Sequence, residues 1–198
     1  EDTDGDGVPD EEEVQLGTDP ADPESTPTEV EFPDERLERA VRSAINRYEG
    51  PLYAEALRTI TTLENAGGIA DLTGIELLEN LEWIDVSNGQ IQDLTPLAAL
   101  EHVYRLEIAS NPVEDLTPIS HWEDILYADL SNTRITALDA IGNWSQCEEL
   151  LLALNDVTDI GPLSKLTLLQ FLDLEGNEVH DLTPLADLVT LLDLNVAF

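Results

Sequence analysis

The chain has 198 residues, of which 8 are basic and 43 acidic, for a formal net charge of −35 at neutral pH. A field of that sign repels phosphate backbones and anionic lipid, which sets aside nucleic acid and anionic membranes as partners and favours divalent cations and basic proteins. Part of the charge also serves solubility. The single cysteine, Cys147, excludes an internal disulfide, and no stretch is apolar enough to span a bilayer. Methionine is absent and the first residue is Glu1, so the chain reads as a processed piece, and the lack of a signal peptide is uninformative.

Residues 1–24 form an acidic head punctuated by Gly and Pro. Its first part, DTDGDGVPDEEE, satisfies D-x-D-x-D-G-x5-E without a gap. Asp2, Asp4 and Asp6 supply alternating carboxylates, and Gly7 permits the sharp turn. Val8 would offer its carbonyl, Asp10 would bind directly or through water, and Glu13 would close the shell with both oxygens. Crowded hard oxygens suit Ca²⁺ better than Mg²⁺ or Zn²⁺. No helix precedes the loop, so it is EF-hand-like without being a full hand.

Residues 25–31, STPTEVE, read as a linker, and residues 32–59 as a helical cap. In FPDERLERAVRSAINRYEG the apolar residues Leu37, Ala40, Val41, Ala44 and Ile45 share one helical face, with Pro33 and Asp34 at the start and Gly50 as the stop. YAEALRTI predicts a second short helix. Such helices cover the first open edge of a repeat array.

From residue 60 to the end the chain keeps a 22-residue period. Apolar anchors fall at Leu81, Val103, Ile125, Cys147, Leu169 and Leu191, each followed by an inward pair such as Ile84/Val86 or Leu172/Leu174. A unit of this size cannot bury its apolar face alone, so the period predicts a stacked solenoid. The alternation around each inward pair predicts a short strand, and DLTPL predicts a turn and a short helical or extended return. The first unit is one residue short before Ile69 and carries Gly67-Gly68. Cys147 occupies a core position and predicts an inert thiol. Trp122 and Trp144 share one repeat position and predict core, whereas His102, His121 and His180 fall at three different positions and form no constellation.

The array resembles bacterial leucine-rich repeats of the internalin type, LxxLxLxxNxIxDLxPLxxL, over about residues 32–198, including the helical lead-in. The resemblance implies an α/β solenoid, a right-handed curved array whose parallel strands line the concave face. The asparagine of that pattern stands at Asn111, Asn155 and Asn177 but is replaced by Gly89 and Thr133, which interrupts the expected ladder. The aspartates Asp71, Asp93, Asp115, Asp159 and Asp181 predict turn caps, with Ala137 breaking the series. The head, continuing VQLGTDPADPES, is similar to a bacterial thrombospondin type 3 repeat, with Asp19 and Asp22 at its tail. That resemblance implies a weak extracellular Ca²⁺ site, with Kd on the order of 10⁻⁴ to 10⁻³ M.

On the strands, residues flanking the inward pair point away from the core, and stacking aligns them in columns. One column reads Trp83, Arg105, Tyr127, Glu149, Phe171, Asp193, and the next reads Asp85, Glu107, Asp129, Leu151, Asp173, Asn195. A third reads Ser87, Ala109, Ser131, Ala153, Glu175, Ala197. Exposed aromatics on a strand face, ringed by acids, predict a surface for a protein with basic residues. A glycan stacking on Trp83, Tyr127 and Phe171, and a spacer without a partner, are the alternatives. No nucleophile elbow, phosphate loop or zinc signature is present, and Asp129 with Asp173 offers no asymmetry an acid–base pair would need, so no enzymatic activity is expected. The expectation is a secreted or cell-surface adhesion module with a Ca²⁺-stabilised stalk. The chain stops inside a strand at LLDLNVAF, which reads as an interrupted array or an edge for end-to-end self-association.

Overall fold

A computed structural model describes residues 1–64 and 66–197. Seven strands form one parallel sheet in chain order: β3 (Thr62–Leu63), β4 (Trp83–Asp85), β5 (Arg105–Glu107), β6 (Tyr127–Asp129), β7 (Glu149–Leu151), β8 (Phe171–Asp173) and β9 (Asp193–Asn195). Adjacent strands pair at the repeat spacing, Trp83 with Arg105, Arg105 with Tyr127, and so on to Asp193. A slip of one residue would turn every inward leucine to solvent, so the period enforces this register. Each strand from β3 to β8 returns through a 3-10 turn that DLTPL or its equivalent begins, with Pro in the first turn at Thr95–Ala99, Thr117–Ile119, Gly161–Lys165 and Thr183–Leu185. The predicted aspartates hold these turns: the backbone N–H of Thr95, Thr117 and Thr183 each donates to Asp93, Asp115 and Asp181 at 2.8 Å.

One continuous core runs from Phe32 to Leu188 and takes in the anchors through Leu169 and the inward pairs through Leu172/Leu174, with Leu191 and Val196 packed against it. Trp122 and Trp144 lie inside it, as expected, and the indole of Trp122 donates to the Leu100 carbonyl at 2.7 Å. Cys147 is fully buried, and burial pushes its thiol up to about 12. At the far end Val189 and Leu192 are 90% and 84% exposed, and Leu194, whose repeat position predicted an inward residue, is 36% exposed.

The asparagine ladder is buried and functions locally. Asn111 accepts from Ile91 N–H at 3.0 Å and donates to the Val86 and Ile108 carbonyls, both at 3.0 Å. Thr133 substitutes in part, its hydroxyl lying 3.0 Å from the Leu130 carbonyl and 2.5 Å from Asn155 Oδ1. At Gly89 there is no room for a side chain, since a Cβ would lie 2.4 Å from the Ile69 carbonyl and 2.6 Å from Asn111 Oδ1.

The cap helix α2 spans Glu35–Ala44 and buries Leu37 and Val41, with Ala40 and Ile45 packed beside them. Asp34 caps it through Arg36 N–H and Leu37 N–H. Gly50 is not its stop: the helix ends at Ala44 and the chain turns at Asn46, whose φ is 55°, so a local left-handed residue ends it earlier. The other carboxylate oxygen of Asp34 takes Ala70 and Asp71 N–H at 2.8 and 3.2 Å, joining cap to first repeat. Arg36 adds a clasp to the Gly68 carbonyl at 2.7 Å, and only glycine at 68 leaves room for it. The second predicted helix is α3 (Ala54–Leu57), a single turn. Within the segment read as a linker, β1 (Glu29–Val30) pairs antiparallel with β2 (Leu52–Tyr53), because the cap offers it an edge. The head contributes α1 (Asp10–Leu16), which Gly17 ends in the left-handed region.

Candidate functional site

The head folds around its own carboxylates. Gly5 and Gly7 take φ of 76° and 101°, so the loop can curl back over Asp2, whose two oxygens accept their N–H groups at 2.8 and 3.3 Å. Asp4 Oδ1 accepts Asp6 N–H, and Asp6 Oδ1 accepts Val8 N–H. One oxygen from each of Asp2, Asp4 and Asp6 lies within 4.8 Å of the others, a grouping that could hold a metal ion.

Glu13 is the informative member. It is fully buried at the first turn of α1, and its Oε2, together with Asp4 Oδ2 and Asp6 Oδ2, is buried without a hydrogen-bond partner. Burial pushes the Glu13 carboxyl upward, and the charges of Asp4 and Asp6 push it further. Three orphaned carboxylate oxygens turned from water cost free energy unless a cation meets them. The donor set, hard and anionic, fits Ca²⁺. Asp10 is placed differently from a free ligand: its two oxygens take the N–H and hydroxyl of Thr3 at 2.7 and 2.6 Å. The Val8 side chain is buried in the turn.

On the sheet, the register brings the two predicted columns together as read, and the hydrogen-bond ladder continues past the strands to the third, for example from Asn88 N–H to the Ala109 carbonyl. The aromatics are less free than the sequence implied. Trp83, Tyr127 and Phe171 are half-buried. The Arg105 guanidinium lies 4.8 Å from the Trp83 ring and 4.0 Å from the Tyr127 ring, held between them. Glu107 Oε1 ties the stack together, accepting Arg105 Nε at 2.8 Å and Trp83 Nε1 at 3.1 Å. Each cation–π contact of this kind contributes about 0.5–1 kcal/mol, so the group is rigid before any partner arrives. Tyr127 is raised above its ordinary value by burial and by the charges of Asp129 and Glu107, which keeps its phenol neutral.

Asp85, Glu107 and Asp129 line one shallow acidic groove of about 360 Å³ with Gly67, Ser87, Asn88 and Ala109. Asp129 and Asp173 are separated by Leu151 on the intervening strand. Glu149 is exposed beside Phe171. A neighbouring row outside the predicted columns also faces solvent, with Tyr104 and Leu126 38% and 43% exposed.

The fold is thus a leucine-rich repeat solenoid with an acidic loop docked at its first edge. Comparison with family models agrees for both parts: residues 2–23 match the bacterial TSP3 repeat, and residues 145–187 match leucine rich repeats in two copies. Solved structures similar to the chain include an internalin C2 from Listeria monocytogenes, 25% identical, covering 87% of this chain and 98% of that one at a TM-score of 0.48. An internalin (inlF) from the same organism is 20% identical, covering 86% of this chain and 78% of that one at a TM-score of 0.41. None of the curated proteins compared with the chain matches it. Among the described residues no helix is long and apolar enough to cross a membrane.

Proposed function

We propose that the chain is an extracellular protein-binding module of a bacterial surface or secreted protein, with the outward sheet face as its binding surface and Ca²⁺ stabilising its head. The observation that carries the reading is the Trp83–Arg105–Tyr127 stack locked by Glu107. Rigid aromatics and an arginine lose little entropy on association and are the residue types that dominate protein interfaces. The surrounding acids Asp85, Asp129, Glu149 and Asp173 complement a basic partner and speed encounter. Arg105 covers one face of both rings, which leaves less stacking surface for a sugar and favours a protein over a glycan.

Metal binding is supported by the orphaned oxygens of Asp4, Asp6 and Glu13. Asp2, Asp4, Asp6 and Glu13 would hold Ca²⁺ through carboxylates and Val8 through its carbonyl, with Asp10 reached after Thr3 yields or through water. The ion would supply charge neutralisation in a loop that otherwise repels itself.

The binding surface is tested by affinity capture from host-cell or matrix extracts with wild type and with Trp83→Ala, Arg105→Ala and Tyr127→Ala. A specific captured protein should be lost with each variant while the fold is kept, the melting temperature falling by no more than about 8 °C for contacts worth about 1–2 kcal/mol. Capture that all three variants retain removes this face as the site. Calorimetric titration of the chain with Ca²⁺ tests the head, and absence of heat at millimolar concentration removes the metal.

A further inference from the structure

We propose that Ca²⁺ binding in the head is coupled to the stability of the helical cap through α1 and the Glu12–Arg47 ion pair, so that the metal clamps the first edge of the solenoid. The proposal rests on the reading of the head as a Ca²⁺ loop, and it concerns what that loop does to the rest of the chain. Glu13, the residue that closes the loop, is followed back by one position in the same helix to Glu12, which pairs with Arg47 of the cap. The Arg47 guanidinium lies 5.3 Å from the Tyr53 ring, and its Nε is buried with no other partner. Tyr53 is itself buried in β2, where it pairs with Glu29, and its neighbour Leu52 belongs to the continuous core. The chain of contact therefore runs from the Glu13 carboxylate, through the adjacent residue of the same helix, to a cationic side chain, a buried ring and the core.

The charge distribution gives this contact its dependence on a cation. Residues 1–24 hold eleven acids and no base, whereas five of the eight bases of the chain, Arg36, Arg39, Arg42, Arg47 and Arg58, lie in residues 32–59. The acids of the loop repel one another, and holding Glu13 in the loop fixes the helical turn from which Glu12 reaches Arg47. Asp6 and Glu12 both lie close enough to raise the Tyr53 phenol, after burial, which places loop and helix together against the cap. The ladder of β1 and β2 sits directly beneath, with Ala54 N–H donating to the Thr28 carbonyl at 2.9 Å.

Coupling of two equilibria is reciprocal: if Ca²⁺ stabilises the cap, loosening the cap weakens Ca²⁺ by the same factor. Arg47→Gln separates this from simple electrostatics. Removing a cation near the loop should tighten Ca²⁺ on charge alone, whereas coupling predicts that it weakens. Hydrogen exchange of the full chain with and without Ca²⁺, together with Ca²⁺ calorimetry, decides the matter. In wild type, Ca²⁺ should slow exchange across residues 47–57 by about 5-fold or more while β5 to β8 are unchanged. Glu12→Gln and Arg47→Gln should abolish that protection, and Arg47→Gln should raise the Kd for Ca²⁺ by a similar factor. Ca²⁺ heat with unchanged exchange in wild type, or an Arg47→Gln affinity equal to or tighter than wild type, overturns the coupling and leaves the loop reading standing. No Ca²⁺ heat at millimolar concentration overturns both.

Discussion

The ladder asparagines Asn111 and Asn155 occupy the same repeat position, yet truncating them should have unequal effects. In Asn111→Ala, Ile91 N–H and the carbonyls of Val86 and Ile108 each lose the side chain that served them, and among the described residues no other donor or acceptor reaches them. In Asn155→Ala only Ile135 N–H is stranded. The Leu130 carbonyl keeps the Thr133 hydroxyl at 3.0 Å, and the Leu152 carbonyl keeps Asn177 Nδ2 at 2.8 Å. Stranding a buried backbone group costs about 1–3 kcal/mol, so Asn111→Ala should lose about 3–5 kcal/mol and Asn155→Ala about 1–3 kcal/mol. Urea unfolding followed by tryptophan fluorescence, with the slope held common, measures both. Equal losses, or a larger loss at Asn155, would refute the accounting of partners.

Two further outcomes follow from local geometry. The Asp34 carboxyl is raised by burial, but the N–H groups of Ala70, Arg36, Asp71 and Leu37 outweigh that and hold it below the ordinary aspartate value of 3.8. A lowered folded value means the stabilisation is complete above 3.8 and is lost as pH falls through the folded value, so wild type should exceed Asp34→Asn by about 1–2 kcal/mol at pH 7 and converge on it near pH 2, read by unfolding midpoints. Leu154 sits at φ 58°, where the other repeats place Asn88, Ser110, Asn132 and Gly176, and it is 58% exposed. Leu154→Asn should gain about 0.5–1 kcal/mol, and a thermal melt showing no gain would count against strain at this position.

How far the candidate sites could be read beforehand depended on whether a contact repeats. Trp83, Arg105 and Tyr127 could be aligned in one column because each is 22 residues from the next, but the column did not say that their side chains lean together. That lean comes from Glu107, one position past the inward residue, which draws Arg105 and the Trp83 indole to the same oxygen. The clustering of Asp2, Asp4 and Asp6 was legible by spacing, and the burial of Glu13 was not, because it follows from where α1 docks.

The apolar period determined by itself the strand register, the inward pairs and the burial of Cys147, since one misplaced residue would expose the whole core face. Acidic spacing likewise determined that Asp2, Asp4 and Asp6 converge, though not that Asp10 turns to Thr3. Tertiary structure alone decided that Glu12 meets Arg47 and that Asp34 reaches Ala70 and Asp71. These partners stand 35 to 37 residues apart in parts of the chain that do not repeat, so no period relates them. Their meeting depends on how a helical cap and an acidic head settle on one edge of the array, which is a matter of packing and charge across the whole molecule.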